Sequence, residues 1–494
     1  MRGSRVPQVL TCGLAVLLVA ACTGDPEPPA PPPEEGPAPV PTAFGGEAPP
    51  GIEGEVLRYL HGDTADVHEI LDDPAGVRIS PVGDAFLISS GSGDRHLLHD
   101  AATGATLWEG EARFDGFGTD RDGDRVLLMA GADGSPFVLD AHGERLWEPE
   151  REGDTYLDGL AVRRPEGWTA AEPYGTFSLL DADGDALWDY GFQAPDEAEA
   201  PEESPEESPS TGDGEESDTE DPALGVPVAV RNDLVLLATG GPVLNAHSVG
   251  DGTAGEELWT VDGEDEELGL PTSAPVTAPQ VLGFYALPEP GDESTGGGDA
   301  EEDATGEDAA GGEELLLLRW AQPEARSTLS AHDPDTGDLL WTLEEPGTNP
   351  VSGAFDATEV AGSLHDDDTG TLLLPQASGA APVVAIDLAA GEVLWGLGED
   401  AGTVSPAFAF DGLVYGDSRT SGGAGQTVLD ALTMDVVEDE LPVYVEAVTD
   451  SGHAILVHDR QRFVYGPLPE EPTDGGSGEP TEGEADAPPG DEAS

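Results

Sequence analysis

A short phrase that recurs along the chain restricts its fold more than any other feature. The phrase reads Asp, two residues, Thr or a small residue, Gly, two residues, Leu and Trp, and two copies are one residue shorter. An Asp side chain caps a tight turn and Gly accepts a positive φ, so each copy predicts a β-hairpin whose second strand begins at Leu-Trp. The copies that end in Trp are Asp100–Trp108, Asp140–Trp147, Asp181–Trp188, Asp251–Trp259, Asp333–Trp341 and Asp387–Trp395. A degenerate copy without Trp is Asp430–Glu438.

The spacing of the copies indicates the architecture. Successive Trp residues of the phrase lie 39, 41, 71, 82 and 54 positions apart. The two longest gaps contain acidic, low-complexity inserts at 194–222 and 288–312, and without them the gaps approach the others. A period of about 40–45 residues, with four short strands in each repeat, is typical of a β-propeller.

The ends of the repeat region determine the number of blades. Seven phrases mark seven blades, and three strand-like stretches follow the last one, at Val443–Val448, His453–His458 and Arg462–Gly466. One unpaired strand-like stretch, Glu55–Leu60, precedes the first. A propeller closed by its terminal strand has no free edge in the closing blade. We therefore predict an all-β, eight-bladed propeller closed by an N-terminal strand, with seven blades as the alternative.

The phrase resembles the repeat of the pyrroloquinoline-quinone (PQQ) propeller superfamily, Ala-x-Asp-x-x-Thr-Gly-x-x-x-Trp, over roughly residues 55 to 467. The resemblance implies a fold and does not by itself imply an activity. That superfamily contains quinoprotein dehydrogenases. It also contains non-catalytic propellers, including the lipoprotein of the outer-membrane β-barrel assembly machine and extracytoplasmic sensor domains.

Parts that the resemblance to the dehydrogenases would require are missing from the sequence. Many of those enzymes stack the quinone between a Trp and a disulfide of adjacent cysteines, whereas Cys12 and Cys22 are the only cysteines of this chain. They also bind Ca²⁺ through Glu, Asn and Asp. The asparagines of the repeat region, Asn232, Asn245 and Asn349, have no recognisable setting. We therefore predict no cofactor and no enzymatic activity.

Other candidate sites have a structural explanation that we favour. Asp120–Asp124 and Asp366–Gly370 contain closely spaced carboxylates, which can bind Ca²⁺, but neither continues into a calcium-loop pattern. We interpret both as hairpin turns. The histidines, including the pairs His96/His99 and His453/His458, are interpreted as surface or turn residues rather than metal ligands.

The tryptophans also have a structural explanation. The six that end the phrase, Trp108, Trp147, Trp188, Trp259, Trp341 and Trp395, are predicted to pack between blades. Trp168 and Trp320 lie outside the phrase and are predicted to be strand residues.

The N-terminus has the pattern of an exported lipoprotein. Arg2 and Arg5 precede a short apolar run, 13–21, which has the length of a signal-peptide core and is too short to span a bilayer. Val19–Cys22 resembles the bacterial lipobox, which implies cleavage after residue 21 and lipidation of Cys22. Two or more acyl chains would anchor the protein stably. The Pro-rich segment that follows predicts an extended tether.

Charge limits the partners. The formal net charge is −84, so binding to nucleic acid, which requires neutralisation of phosphates, is excluded. We predict four regions: a signal peptide at 1–21, a lipidated Cys22 with a tether at 22–50, a propeller at 51–467 and a disordered acidic tail at 468–494. The two inserts are also predicted to be disordered.

The function predicted from these features is that of a scaffold. A monomer anchored on the extracytoplasmic face of the cell membrane would bind an envelope protein through one face of its propeller. The alternatives are a quinoprotein oxidoreductase that uses PQQ and a propeller that senses a ligand.

Overall fold

The computed structural model describes residues 44–60, 69–181, 184–194, 224–271, 277–288, 313–323, 325–351, 353–355, 362–398, 404–420 and 423–467. The predicted signal peptide, Cys22, the two acidic inserts and the C-terminal tail lie outside these ranges almost entirely. Within the described ranges, no helix has the length and apolar character required to cross a membrane.

The described residues form 32 strands in eight antiparallel four-stranded sheets. Seven sheets use four consecutive strands each, and we number these blades 1 to 7. Blade 1 contains β2 Val77–Val82, β3 Ala85–Ser90, β4 Arg95–Asp100 and β5 Thr106–Glu111, and blade 2 contains β6 Arg113–Thr119, β7 Arg125–Ala130, β8 Pro136–Leu139 and β9 Arg145–Trp147. Blade 3 contains β10 Asp154–Leu157, β11 Leu160–Arg163, β12 Gly175–Leu180 and β13 Ala186–Phe192, and blade 4 contains β14 Val226–Arg231, β15 Leu234–Ala238, β16 Val243–Ser248 and β17 Glu257–Asp262.

The remaining three of these blades follow the same order. Blade 5 contains β18 Gln280–Ala286, β19 Glu314–Trp320, β20 Thr328–His332 and β21 Leu339–Glu344, and blade 6 contains β22 Leu364–Asp366, β23 Thr371–Pro375, β24 Val383–Asp387 and β25 Glu392–Leu397. Blade 7 contains β26 Val404–Phe410, β27 Leu413–Thr420, β28 Gly423–Asp430 and β29 Val436–Glu438.

Blade 8 joins the two ends of the chain. It contains β30 Tyr444–Val448, β31 Ala454–His458 and β32 Gln461–Gly466, and its fourth strand is β1 Glu55–Leu60. β1 pairs antiparallel with β32, from Glu55 opposite Gly466 to Leu60 opposite Arg462. The eight-bladed propeller closed by an N-terminal strand is therefore confirmed, and the seven-bladed alternative is wrong.

The core lies between the blades. Eight hydrophobic clusters are found, and each joins two neighbouring blades, because every sheet buries apolar side chains on both faces. The cluster that closes the ring brings Ile79 and Phe86 of blade 1 against Ile455 and Val464 of blade 8. Burial of this kind supplies the main stabilisation of a domain whose repeat region contains no disulfide.

The residues just before β1 pack along the junction of blades 7 and 8. Ile52 is buried in the cluster between these blades, and the ring of Phe44 lies 5.4 Å from that of Phe463. The hydroxyl of Tyr415 donates to the carbonyl oxygen of Pro50, and that of Tyr465 donates to Gly54 O at 2.6 Å. Residues 44–50 were predicted to belong to the tether, but Phe44 and Pro50 contact the propeller.

Candidate functional site

The two ends of the propeller differ in how they are built. At one end, which we call the tight-turn face, lie the turns that join the first strand of a blade to the second and the third to the fourth, such as 83–84, 100–105 and 411–412. At the other end, the loop face, lie the connections from second to third strands and from blade to blade, such as 164–174, 376–382 and the described part of the connection that leaves β21, 345–351.

The chemistry of the tight-turn face is that of β-hairpins. Asp158, Asn232 and Asp411 occupy left-handed positions, with φ of 41°, 50° and 53°. Asp and Asn tolerate this conformation better than other residues with a Cβ. Asp120 and Asp366 also lie at hairpins; one oxygen of Asp120 accepts from the backbone N–H of Asp122 and Asp124. The carboxylates of this face are therefore explained by the turns they form.

Several of these carboxylates crowd the same end of the molecule. Burial raises the pKa of Asp120, Asp158 and Asp450. Burial also raises the pKa of Asp368, to which the neighbouring carboxylates of Asp366, Asp411 and Asp367 add. Within the ranges that the structure describes, no three His, Cys, Asp or Glu side chains are grouped so that they could hold a metal ion.

The six tryptophans of the phrase lie in the fourth strands of blades 1 to 6, and three of them form a hydrogen bond to the next blade. The indole N–H of Trp259 donates to Pro334 O at 2.9 Å, that of Trp341 to Leu388 O at 2.9 Å and that of Trp395 to Ala431 O at 2.8 Å. Each acceptor belongs to the residue that follows the Asp of the next phrase. A Cβ built on Gly337 would lie 2.7 Å from the ring of Trp259, so this ring packs on the turn glycine. These contacts link neighbouring blades.

The loop face contains a buried polar network between blades 5 and 6. The guanidinium of Arg319, at the end of β19, donates two hydrogen bonds to the carboxylate of Glu345, at 2.9 and 2.8 Å. Glu345 is fully buried, and its oxygens also accept from Asn349 Nδ2 at 3.2 Å and from Gln376 Nε2 at 2.8 Å. The network fixes the base of the connection that leaves β21.

The same connection reaches two other blades. Phe355 packs against the clusters between blades 3 and 4 and between blades 4 and 5. Its ring lies 6.5 Å from that of Trp168, in the loop between β11 and β12, with an edge-on geometry. Arg164, in the same loop, places its guanidinium 4.3 Å from the centroid of the Trp168 ring. The prediction that Trp168 is a strand residue is wrong, whereas Trp320 does lie in β19.

The histidines differ from their sequence interpretation. His96, His99, His247 and His332 are buried strand residues, so their assignment as surface or turn residues is wrong. His453 is buried but does lie in the turn between β30 and β31, and His142 is an exposed turn residue as predicted. Burial lowers the pKa of His96, His247, His332 and His453. His99 and His332 occupy the same repeat position, directly before the Asp of the phrase, and this periodicity was the signal in the sequence that could have revealed them.

Comparison with known proteins agrees with the repeat. The family described as outer membrane protein assembly factor BamB matches residues 71–212, which is less than half of the chain and covers the phrases of blades 1 to 3. Together with eight four-stranded blades linked by the phrase, this match decides the superfamily. The chain is a PQQ-like β-propeller. No curated protein matches it.

Solved structures resemble this PQQ-like propeller at low identity. BamB from Moraxella catarrhalis is 16% identical, with 79% of this chain and 96% of that chain covered and a TM-score of 0.35. Sqt1 from Saccharomyces cerevisiae is 12% identical, with 84% and 99% covered and a TM-score of 0.37. The quinohemoprotein alcohol dehydrogenase from Comamonas testosteroni is 12% identical, with 79% and 74% covered and a TM-score of 0.38. At these values none of the three indicates what this PQQ-like propeller does.

The donor set of the loop face does not fit a quinone with its calcium ion. Asn349 and Glu345, two ligand types for such a site, do lie together, but both oxygens of Glu345 accept from Arg319. A divalent cation at this carboxylate would be repelled by the guanidinium. The tryptophans of the phrase lie in the fourth strands of their blades, and three of them donate to the next blade of this PQQ-like propeller.

Proposed function

We propose that this protein is a lipid-anchored, extracytoplasmic and non-catalytic scaffold that binds an envelope protein through its loop face. The observation that carries the proposal is the difference between the two faces. Short hairpin turns of repeated chemistry form most of the tight-turn face, with the connection 287–313 between β18 and β19 as the exception. The connections of the loop face differ from blade to blade, as the single residue Ala112 and the eleven residues 164–174 illustrate. Binding residues concentrate on variable loops that are held by a rigid scaffold.

The distribution of positive charge supports the same face. Most of the arginines of the propeller lie at or beside loop-face connections: Arg78, Arg95, Arg113, Arg151, Arg163, Arg164, Arg319, Arg326, Arg460 and Arg462. Six of them are paired with carboxylates of this chain, so within the described ranges Arg78, Arg151, Arg164 and Arg460 are the positions at which a partner's carboxylates would meet a counter-charge in a chain with a net charge of −84. Charge complementarity of this kind sets orientation and specificity more than affinity.

The envelope location rests on the N-terminal sequence. Val19–Cys22 supports lipidation of Cys22, and the Pro-rich residues after it support a tether. Twenty-one residues separate Cys22 from Phe44. In a polyproline-like conformation they would span about 65 Å, so the anchored propeller could reach partners well away from its lipid.

Metabolic labelling with a fatty-acid analogue tests the anchor. The wild-type chain should incorporate the label and sediment with membranes, and a Cys22→Ser variant should do neither. The partner is tested by purification of the full-length, lipidated protein from native membranes, with the Cys22→Ser chain as the control. A stoichiometric envelope protein that accompanies only the anchored chain supports the scaffold, and purification without any partner contradicts it.

A quinoprotein remains the second candidate because the superfamily contains such enzymes, and it has a direct test. Addition of PQQ and Ca²⁺ to the purified protein should leave the absorbance spectrum equal to the sum of its components. A new absorbance band that remains with the protein after desalting would replace the scaffold proposal with an oxidoreductase.

A further inference from the structure

Among the residues that the structure describes, no carboxylate pairs with Arg164, although the protein is highly acidic. It follows β11 directly, and its guanidinium stacks on Trp168 at 4.3 Å. Its Nε is buried and has no hydrogen-bond acceptor. The indole Nε1 of Trp168 is also buried without an acceptor. Two adjacent donors therefore lack a partner among the residues that the structure describes.

The neighbouring arginine shows what this pair lacks. Arg163 donates two hydrogen bonds of 2.8 Å to the carboxylate of Asp154, and Glu150 lies 3.6 Å away. The hydrogen bond from Arg163 also lowers the pKa of Asp154, as expected of a paired carboxyl. Burial lowers the pKa of Arg164, and no carboxylate opposes that shift.

Burial distinguishes Arg164 from other arginines outside the ion pairs. Arg78, Arg151 and Arg460 are exposed, so water satisfies their guanidinium groups. Arg164 is half-buried, and a buried donor without an acceptor is costly. Buried polar groups in folded proteins are almost always bonded, and the exceptions point to a missing water or ion.

We propose that Arg164 and Trp168 form a binding site for the carboxylate group of a ligand. Nε is buried, so the two Nη groups of the half-buried guanidinium are the donors for a carboxylate from solution, and two parallel N–H groups match a planar carboxylate. The polyanionic chain repels a monoanion less than a phosphate dianion, which favours a carboxylate. The ring of Phe355 beside Trp168 adds an apolar wall.

This inference goes beyond the scaffold proposal and does not depend on it. The carboxylate could belong to a small organic acid or to an Asp or Glu side chain of a protein. Two probes separate these sources: sodium benzoate stands for an aromatic acid, and N-acetylglutamate amide stands for a protein side chain. Binding of either supports the site, and the stronger probe identifies the source.

Indole N–H resonances of the full-length protein, labelled with ¹⁵N at Trp, provide the readout. Benzoate should shift the Trp168 signal, assigned with Trp168→Phe, in a saturable manner. The Trp259 signal should not move, because its N–H already donates to Pro334 O at 2.9 Å. Sodium chloride at equal ionic strength and neutral benzamide should leave both signals unchanged.

Variants test the role of the charge. Arg164→Gln should weaken benzoate binding roughly tenfold or more, and Arg151→Gln, which removes an exposed arginine nearby, should change it less than about twofold. Unshifted Trp259 signals in both variants show that the fold is intact. The proposal is overturned if neither probe shifts Trp168, or if benzamide and benzoate shift it equally.

Discussion

The guanidinium of Arg58 donates a 2.5 Å hydrogen bond to the carbonyl oxygen of Ala101, the residue after the Asp of the first phrase. Between blades 6 and 7, the indole N–H of Trp395 donates to the equivalent carbonyl oxygen, that of Ala431, at 2.8 Å. β1 is the fourth strand of blade 8, so an arginine of the N-terminal strand occupies the bonding position that a tryptophan holds in other blades. Arg58 also donates to Asp100 O at 2.7 Å and Ala102 O at 3.0 Å.

Removal of this contact should weaken the closure of the ring. Arg58→Ala loses four hydrogen bonds, three to backbone carbonyls and one of 3.2 Å to His99 Nε2, and we expect the free energy of unfolding to fall by about 2–3 kcal/mol. Arg78→Ala, which removes an exposed arginine of β2, should change it by less than about 0.5 kcal/mol. Equilibrium denaturation in urea measures both. Equal effects of the two substitutions would show that Arg58 does not link blades 8 and 1.

The turn glycine of the phrase should be required for packing as well as for conformation. Gly391 has φ of 66°, and an added Cβ would lie 2.4 Å from the Trp341 ring; Gly134 has φ of 86° and open space around it. Gly134→Ala should cost about 1–2 kcal/mol from backbone strain. Gly391→Ala should cost about 1–3 kcal/mol more because it displaces the ring. Thermal unfolding compares them, and equal costs would mean that Trp341 can move freely.

The buried ion pair should hold the loop that carries Phe355. Glu345→Gln leaves the Arg319 charge buried without its partner and should cost about 3–5 kcal/mol. Glu344→Gln, which breaks the exposed pair with Arg326, should cost less than about 1 kcal/mol. Hydrogen exchange should show faster exchange in residues 345–355 of the first variant only. Unchanged hydrogen exchange in these residues would show that the network does not position this loop.

Protonation of four carboxyls should favour the folded state as the solution is acidified. The folded-state pKa of Asp120, Asp158, Asp368 and Asp450 is raised above the ordinary 3.8, so the folded state binds these protons first. Their contribution to stability is therefore present at low pH and is lost as pH rises through the raised values. Self-repulsion in a chain of net charge −84 acts in the same direction.

Other groups act in the opposite direction. The pKa of Asp154 is lowered by its hydrogen bonds from Arg163, and that contribution is lost as pH falls below about 3.8. Burial also lowers the pKa of His96, His247, His332 and His453, so their contribution to stability is lost as pH falls through the ordinary value of 6.5. The test is therefore the difference in melting temperature between Asp158→Asn and the wild type, which should shift in favour of the variant as pH rises above about 4, because only the wild type then buries a carboxylate charge. A difference that does not change with pH would contradict the burial of this carboxyl.

The fold could be predicted from the sequence because its information is local and repeated. Each phrase contains the Asp cap, the turn Gly and the Trp of one hairpin, and the unpaired stretches at the two ends fixed the eighth blade. The loop face could not be predicted, because its contacts join separate connections. Glu345 meets Gln376 from the next blade, and Phe355 meets Trp168 across many intervening residues. Nothing in the local pattern around these residues indicates such partners.

Site-specific photo-crosslinking in intact cells tests the central claim, that the loop face binds an envelope protein. A photoreactive amino acid would replace exposed residues of the loop face, Glu172 or Arg326, or exposed residues of the tight-turn face, His142 or Asp335. We expect one discrete crosslinked product from the loop-face positions and none from the tight-turn positions. Crosslinks that form only from His142 and Asp335 would contradict it and would assign binding to the opposite face.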